Sequence, residues 1–168
     1  MERYTVAVLV HNQFGVLNRV TSMFRRRQFN IICLTVSETE SPALSRITVM
    51  FEGEENTKQQ LINQLYKLPD VCSVQEYNND NAVSRELLLI KMQNTPQEYE
   101  EIHAAAVAFH ATTLDYTREY IILQLTDESR RIDDFIRLMS DFTILEICRT
   151  GIVSLERGNT TIRKVTNL

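Results

Sequence analysis

The residues best suited to binding a ligand lie near the N-terminus, where Asn12 and Gly15 separate an apolar segment from an amphipathic one. Gly15 allows a sharp backbone turn and a close approach by a ligand. If a helix starts directly after it, Val16 and Leu17 present backbone N–H groups that have no acceptor within the helix. Such groups at a helix N-terminus bind small anions. The turn is therefore a candidate carboxylate site.

A second polar residue extends this candidate site. Asn30 opens the next apolar segment and is able to accept a hydrogen bond from a ligand ammonium, while the side-chain amide of Asn12 adds a donor. Donors for a carboxylate, an acceptor for an amine and aliphatic neighbours together predict a site for a free amino acid. Spacing alone leaves open the alternative that Gly15 and Asn30 are only turn residues.

The residue types that usually carry catalysis or bind metals are scattered. Cys33, Cys72 and Cys148 are far apart with no C-x-x-C, and the three histidines do not cluster. There is no H-E-x-x-H, Walker A or G-x-G-x-x-G motif. An enzyme that used Cys33 or His11 remains an alternative, but no base, nucleophile and oxyanion donor converge. We predict a chain without catalytic residues that binds no metal and no cofactor of its own.

Composition restricts the classes of partner. The chain has 168 residues, 43% apolar and 24% charged, which fits a soluble protein of one ordinary domain or two small ones. A net charge of −4 argues against nucleic acid, and the apolar runs are too short to cross a membrane. The absence of a signal-peptide pattern and the isolated thiols predict a cytoplasmic protein. The basic run at residues 25–27 is interpreted as a solvated helix end, with contact to an acidic partner as the alternative.

Hydrophobic periodicity predicts the same order of elements twice. In the first half, strands are expected at Tyr4–Val10, Asn30–Glu38, Leu44–Glu52 and Val71–Tyr77. One helix should follow Gly15 with Val16, Leu17, Val20 and Phe24 facing the sheet, and another should begin at an Asn56 N-cap. In the second half, strands are expected at Ser84–Gln93, Ala111–Tyr116, Glu119–Thr126 and Phe142–Glu156, the last bent near Gly151. Their helices should begin after a Thr95 cap and around Ile132.

This order predicts an α+β protein made of two ferredoxin-like βαββαβ units. The boundaries are a first domain at 1–78, a linker at 79–83, a second domain at 84–158 and a polar tail at 159–168. One face of each sheet has no helices of its own, so we expect a homodimer. The equivalent turn of the second unit, Asn94-Thr95-Pro96, has no glycine, and proline lacks an N–H group. Only the first unit is therefore expected to hold the site.

Several segments resemble a known family. The stretch HNQFGVLNRVTSMFRRRQFNIICLTVSETESPALSRITV is similar to the ACT domain of acetolactate synthase (acetohydroxyacid synthase) small subunits. The resemblance continues through KLPDV, SRELLLIKM and ILEICRTGIVSLERG, and so covers nearly the whole chain up to Gly158. Its specificity comes from the segments Leu34-Thr35-Val36, Leu44-Ser45-Arg46 and Arg149-Thr150-Gly151.

The resemblance implies a regulatory role in branched-chain amino acid biosynthesis. It implies that the subunit binds a catalytic large subunit carrying thiamine diphosphate, Mg²⁺ and FAD, activates it, and confers allosteric feedback inhibition by valine. It also implies an effector site between two ACT domains, with one chain contributing Asn12, Gly15, Val16 and Leu17 and the other contributing Asn30 and Ile31. The second unit, without a ligand turn, is then expected to contact the large subunit or to stabilise the assembly.

Three residues depart from the family pattern. His11 stands where an acidic residue is usual, and Phe14 replaces a small residue or proline. Gln28 replaces a glycine after the first helix, which costs about 1 kcal/mol if the backbone there is left-handed. His11 and Phe14 flank the pocket, so the effector is valine, leucine or isoleucine. A free-standing ACT-domain sensor acting on another partner is the alternative function.

Overall fold

The computed structural model describes residues 2–78 and 80–165. The strands are Glu2–His11 (β1), Ile31–Glu38 (β2), Leu44–Gly53 (β3), Val71–Tyr77 (β4), Ala82–Gln93 (β5), Thr112–Tyr116 (β6), Tyr120–Asp127 (β7), Ile144–Arg149 (β8) and Val153–Glu156 (β9). The helices are Val16–Arg26 (α1), Glu55–Leu65 (α2), Tyr99–Ala108 (α3) and Ser129–Met139 (α4), followed by a 3₁₀ helix at Ile162–Val165.

The two predicted βαββαβ units are confirmed. The first sheet has the order β2-β3-β1-β4, and the second has the equivalent order β6-β7-β5-β8, with β9 also paired to β5. All pairs along the two orders are antiparallel. In each unit the first strand is central because its neighbours are the third and fourth strands. The two units therefore repeat one topology.

The core of the first unit lies between its sheet and its two helices. β1 is buried along most of its length, as its apolar and β-branched sequence predicts. The core contains aliphatic and aromatic residues from α1, α2, β1, β3 and β4: Tyr4, Val6, Val8, Val10, Val16, Val20, Met23, Phe24, Ile47, Val49, Phe51, Leu61, Leu65 and Val74. Leu17 is not among them, and 42% of its surface is exposed. Its predicted place on the sheet-facing stripe is wrong, since the buried residues of α1 are Val16, Val20, Met23 and Phe24.

The two predicted helix starts were wrong. α2 begins at Glu55, its N-cap is Glu54, and Asn56 lies inside the first turn. α3 begins at Tyr99, four residues after Thr95. The Thr95 hydroxyl instead donates to the Glu98 carboxylate at 2.7 Å, so the two residues close a turn ahead of the helix. A capping-box spacing therefore located each turn to within a few residues but did not fix the first helical residue.

The first helix of each unit ends in the same way. Gln28 and His110 both have a φ of 58°, in the left-handed region. The following residues, Phe29 and Ala111, each donate a backbone hydrogen bond five residues back, which is the Schellman pattern. The left-handed conformation anticipated at Gln28 is therefore present, and it recurs at His110.

The C-terminal segment differs from the prediction. The chain divides into two compact units, residues 2–84 with 152–165, and residues 85–151. Residues from Ile152 onward thus belong to the first unit, whereas the sequence suggested a second domain ending at 158. Asn78 closes a turn by accepting backbone hydrogen bonds from Asp80 and Asn81, so the expected linker is short, and residues 82–83 already belong to β5.

The expected polar tail contains a buried side chain. Ile162 is 7% exposed and packs with Ala7, Leu9, Tyr77 and Ala82 on the face of the first sheet that the helices leave open. Arg163 adds an ion pair with Glu40 at 2.8 Å. The sequence did not predict this packing because Ile162 is a single apolar residue within a polar stretch, and one residue forms no periodic pattern. Residues 166–168 of the predicted tail lie outside the described residues.

Candidate functional site

The turn after β1 is fixed to two neighbouring elements. The backbone N–H of His11 donates to the carbonyl of Asp70 at 2.9 Å, ahead of β4. The N–H of Asn12 donates to the carbonyl of Ala43 at 2.8 Å, ahead of β3. Since both contacts are made at the end of the central strand, the chain is held in place immediately before the candidate carboxylate site.

Gly15 adopts the conformation for which glycine is suited. Its φ of 83° and ψ of −2° place it in the left-handed region as the N-cap of α1. Val16 donates its N–H to the Gln13 carbonyl at 3.3 Å. In the described part of the chain, the N–H groups of Leu17 and Asn18 have no hydrogen-bond acceptor. Two free donors at a helix N-terminus are thus available to an anion.

A cation that sequence reasoning missed lies beside this turn. A Cβ added at Gly15 would lie 3.4 Å from the Arg19 guanidinium nitrogen Nη1. Arg19 also pairs with the Asp70 carboxylate through its Nε at 2.6 Å, which fixes its orientation. The spacing of four residues from Gly15 is the signal that would have revealed it, because residues four apart share one face of a helix.

Asn12 uses its amide differently from the prediction. Its Nδ2 donates to the Glu38 carboxylate at 3.1 Å and to the Pro42 carbonyl at 3.0 Å. Both N–H bonds of the amide are thereby directed to the β2–β3 hairpin of the same chain. Asn12 therefore positions the turn against the hairpin and offers a ligand its oxygen rather than its N–H groups.

The six predicted site residues fall into two separate groups. Asn12, Gly15, Val16 and Leu17 lie together at the end of β1, whereas Asn30 and Ile31 lie at the start of β2. The pairing registers place Ile31 level with Phe51 and Tyr4, seven residues from the end of β1. At about 3.4 Å per residue, the two groups are roughly 24 Å apart along the sheet. One chain therefore does not bring them together.

Among the residues that the structure describes, β2 is an edge strand that pairs with β3 alone in its sheet. Ile32 and Val36 on this strand are each 39% exposed, and Phe14, on the turn before α1, is fully exposed. An exposed edge carries unpaired backbone N–H and C=O groups that favour pairing with another strand. These exposed apolar residues add area that association would bury.

The main buried ion-pair cluster of the second unit is structural. Glu86 is 4% exposed, and the Arg149 guanidinium donates to its carboxylate at 2.6 and 2.9 Å. Burial alone would raise the pKa of Glu86, but hydrogen bonds from Arg149 and Ser129 lower it below its usual value. Arg149 also pairs with Asp133 at 2.8 Å. The cluster joins β5, α4 and β8, and its groups satisfy one another.

Among residues 2–78 and 80–165, no group of three or more His, Cys, Asp or Glu side chains lies close enough to hold a metal ion. No helix in the same ranges is both long and apolar enough to span a membrane.

Comparison with known proteins decides the family. Residues 6–73 match the model of the AHAS small subunit-like ACT domain, and residues 85–158 match the small subunit of acetolactate synthase. The probable acetolactate synthase small subunit of Archaeoglobus fulgidus is 41% identical over 157 residues, covering 94% of this chain and 98% of that protein. The chain belongs to the acetolactate synthase small-subunit family.

Other members agree in sequence and in structure. The acetolactate synthase small subunit of Bacillus subtilis is 40% identical over 154 residues, covering 91% of this chain and 90% of the relative. The crystal structure of the small subunit from Thermotoga maritima superposes with a TM-score of 0.87 at 36% identity, covering 95% of this chain and all of that one. As a member of this family, the chain has a regulatory role in acetolactate synthase.

Proposed function

We propose that this small subunit binds the catalytic large subunit of acetolactate synthase, raises its activity and makes it sensitive to inhibition by valine. In this proposal the large subunit holds thiamine diphosphate, Mg²⁺ and FAD and condenses the two 2-oxo acids, while the small subunit performs no catalysis. The complex works in the cytoplasm, which suits the free thiols of Cys33, Cys72 and Cys148.

The observation that carries the proposal is the division of the candidate site between opposite ends of the first sheet. A two-fold axis that pairs the β2 edges of two chains antiparallel brings the start of one β2 beside the end of the other. The end of β2 lies beside the turn, because Asn12 donates to Glu38. The partner's Asn30 and Ile31 would therefore meet Gly15 and Leu17, and each homodimer would contain two equivalent sites.

Each part of valine has a suitable neighbour in such a site. The carboxylate accepts hydrogen bonds from the free N–H groups at the start of α1, with the Arg19 guanidinium adding positive charge nearby. The ammonium donates to the side-chain oxygen of Asn30 from the other chain. The isopropyl group lies between the exposed Leu17 and the partner's Ile31. No acid–base pair is needed, because the ligand is bound and not converted.

Regulation follows if valine favours one arrangement of the dimer and that arrangement activates the large subunit less. Because each site contains residues from both chains, binding depends on how the chains are arranged relative to one another. A coupling free energy of about 1–3 kcal/mol would change activity from several-fold to about a hundredfold. By linkage, if valine changes the affinity of the small subunit for the large subunit by some factor, the large subunit would change the affinity for valine by that same factor.

Reconstitution tests the proposal directly. The purified small subunit is mixed with its cognate large subunit, and acetolactate formation is measured with and without valine. We expect higher activity than with the large subunit alone, and a decrease on adding valine. An activity that the small subunit leaves unchanged would exclude the proposed partner, whereas activation without any effect of valine would exclude the proposed effector.

A further inference from the structure

The second unit contains a cavity at the position that corresponds to the valine turn. Six residues of this unit line a volume of about 450 Å³: Asn94, Thr95, Pro96, Tyr99, Tyr116 and Arg118. They belong to the turn between β5 and α3, to the first residue of α3 and to the β6–β7 hairpin. The volume is within the range of small-molecule sites, which is about 300–1,000 Å³. The absence of glycine from this turn therefore does not prevent a cavity from forming there.

Asn94 repeats the structural role of Asn12. Each asparagine directly follows the central strand of its unit, and the Asn94 N–H donates to the Glu119 carbonyl at 2.9 Å ahead of β7. The Asn94 Nδ2 donates to the Thr117 carbonyl at 2.6 Å in the adjoining hairpin. The two turns thus share one framework of hydrogen bonds, although their next three residues differ.

The side-chain oxygen of Asn94 is buried without a hydrogen-bond donor in the described part of the chain. Asn94 is 5% exposed, and its Oδ1 is buried and accepts no hydrogen bond from the described residues. Leaving a buried acceptor unpaired carries a free-energy cost. A ligand N–H group would remove this cost. Because this oxygen is inaccessible in the described conformation, a ligand reaches it only if a lining side chain moves, and we expect the 52% exposed Tyr116 to do so.

The remaining walls of the cavity provide a cation and two aromatic rings. Within the part of the chain that the structure describes, no carboxylate lies within ion-pair distance of Arg118. The rings of Tyr99 and Tyr116 pack edge to face with centroids 5.6 Å apart, and Tyr99 stacks on His103 at 5.7 Å. Aromatic rings in such arrangements favour an aromatic or branched apolar group beside them.

We propose that this cavity is a second binding site, for a free amino acid with an aromatic or branched side chain. Arg118 binds the carboxylate, the Asn94 oxygen accepts from the ammonium, and the side chain packs against Tyr99 and Tyr116. The carboxylate is thus bound by a side-chain cation, because Pro96 removes an N–H group from this turn. All six lining residues belong to one chain, so this site does not depend on a dimer or on the valine site.

The probe is L-phenylalanine, added to the full-length Gly15→Asp variant so that the first site is silent. Isothermal titration should show saturable binding. Arg118→Gln should weaken it about tenfold or more, since a hydrogen bond to a charged group contributes about that factor. Tyr116→Ala should also weaken it, and its exposed position makes misfolding a minor concern. Arg130→Gln removes an equal charge from the same unit outside the cavity and should leave the affinity unchanged.

Two fragments of the probe separate the roles of the polar groups. 2-Phenylethylamine lacks the carboxylate, so it should bind weakly, and Arg118→Gln should not weaken its binding further. 3-Phenylpropanoate lacks the ammonium and should bind several-fold more weakly than L-phenylalanine, because it cannot satisfy Asn94. The proposal is overturned if L-phenylalanine does not bind saturably, if Arg118→Gln leaves its affinity unchanged, or if 3-phenylpropanoate binds as tightly as L-phenylalanine.

Discussion

The turn after β1 and the turn after β5 occupy equivalent places in the repeat but offer a ligand different chemical groups. Both begin with an asparagine whose N–H donates to the carbonyl just before the third strand of its unit. In the first turn, Gly15 is left-handed and leaves free backbone donors at the start of a helix. In the second, Pro96 and a later helix start leave a cavity whose charge comes from Arg118. A single topology therefore presents free backbone donors at one turn and a side-chain cation at the other.

This difference also affects how many chains each site needs. The predicted partners of the first turn, Asn30 and Ile31, lie at the other end of the sheet. In the proposed dimer, a second chain would complete this site. The cavity at the second turn is lined by residues of one chain, including Tyr116 and Arg118 of the β6–β7 hairpin. Binding at the first turn can therefore report on the arrangement of two chains, which is what regulation requires.

The strongest test of the contrast places a carboxylate in each turn. Gly15→Asp should raise the valine concentration for half-inhibition of the reconstituted enzyme by about a hundredfold or more, because the new charge repels the ligand carboxylate. Activation should be largely retained. Gln97→Asp adds the same charge to the turn of the second unit at an exposed position and should leave valine inhibition unchanged. Full valine sensitivity of Gly15→Asp would mean that the site is elsewhere.

The units also differ in the charges they bury. Arg149→Met leaves the Glu86 carboxylate buried without its main partner, so the unfolding free energy of the second unit should fall by about 3 kcal/mol at pH 7. Urea denaturation and amide exchange of β5 would measure this. Arg137→Met, which removes an exposed pair with Asp134, should cost less than about 0.5 kcal/mol. Equal effects of the two substitutions would contradict the buried role of Glu86.

The Glu86–Arg149 pair also makes the unfolding free energy depend on pH in a known direction. The pKa of Glu86 is lower in the folded chain than its unfolded value of about 4.3. The resulting stability is fully present above that value and is lost as the pH falls through the folded pKa. Without Arg149, burial raises the pKa of Glu86, so the difference in stability between the wild type and Arg149→Met should begin to shrink above this unfolded value. It should go on shrinking until the pH has fallen through the lowered pKa of the wild type. A difference that stays constant from pH 7 to pH 3 would exclude this linkage.

The outer face of the first sheet has a cover from its own chain. Ile162→Ala should lower the unfolding free energy of the first unit by about 2 kcal/mol, because it leaves a cavity against Leu9 and Tyr77. Faster amide exchange in β1 and β4 would report it. Leu155→Ala, on the same C-terminal segment but 65% exposed, should change stability by less than about 0.5 kcal/mol. Similar small effects for both would show that the segment does not stabilise the sheet.

The smallest expected effect concerns the C-terminal ends of α1 and α3. Gln28→Gly and His110→Gly should each stabilise the protein by up to about 1 kcal/mol, since both positions are left-handed. The urea concentration at the midpoint of denaturation should rise for both variants. Arg27→Gly provides the control, because Arg27 has a φ of −100° and glycine there only increases the freedom of the unfolded chain. Stabilisation by Arg27→Gly and not by Gln28→Gly would contradict the described cap.

The fold could be predicted from the sequence because its signals are periodic and local. Alternating apolar residues gave the strands, and glycine and proline marked the turns, so the repeated order emerged correctly. Three features could not be predicted in this way. The packing of Ile162 depends on a contact with a distant strand, the amide of Asn12 is directed by the hairpin that it meets, and Arg118 approaches Asn94 only through the fold. Each depends on tertiary contacts that no local pattern encodes.

The candidate site was located by Gly15, whose conformation the sequence anticipated, but its division between two ends of a sheet required the strand registers.

That division leads to the most direct measurement. The small subunit carrying Gly15→Asp and the small subunit carrying Asn30→Ala are each titrated with valine, alone and after mixing under conditions that exchange subunits. A shared site predicts weak or no binding by either variant alone. The mixture should regain wild-type affinity in about a quarter of the sites, because half of the dimers combine one of each chain and restore one site. Mixing that restores no binding would contradict a valine site built from two chains.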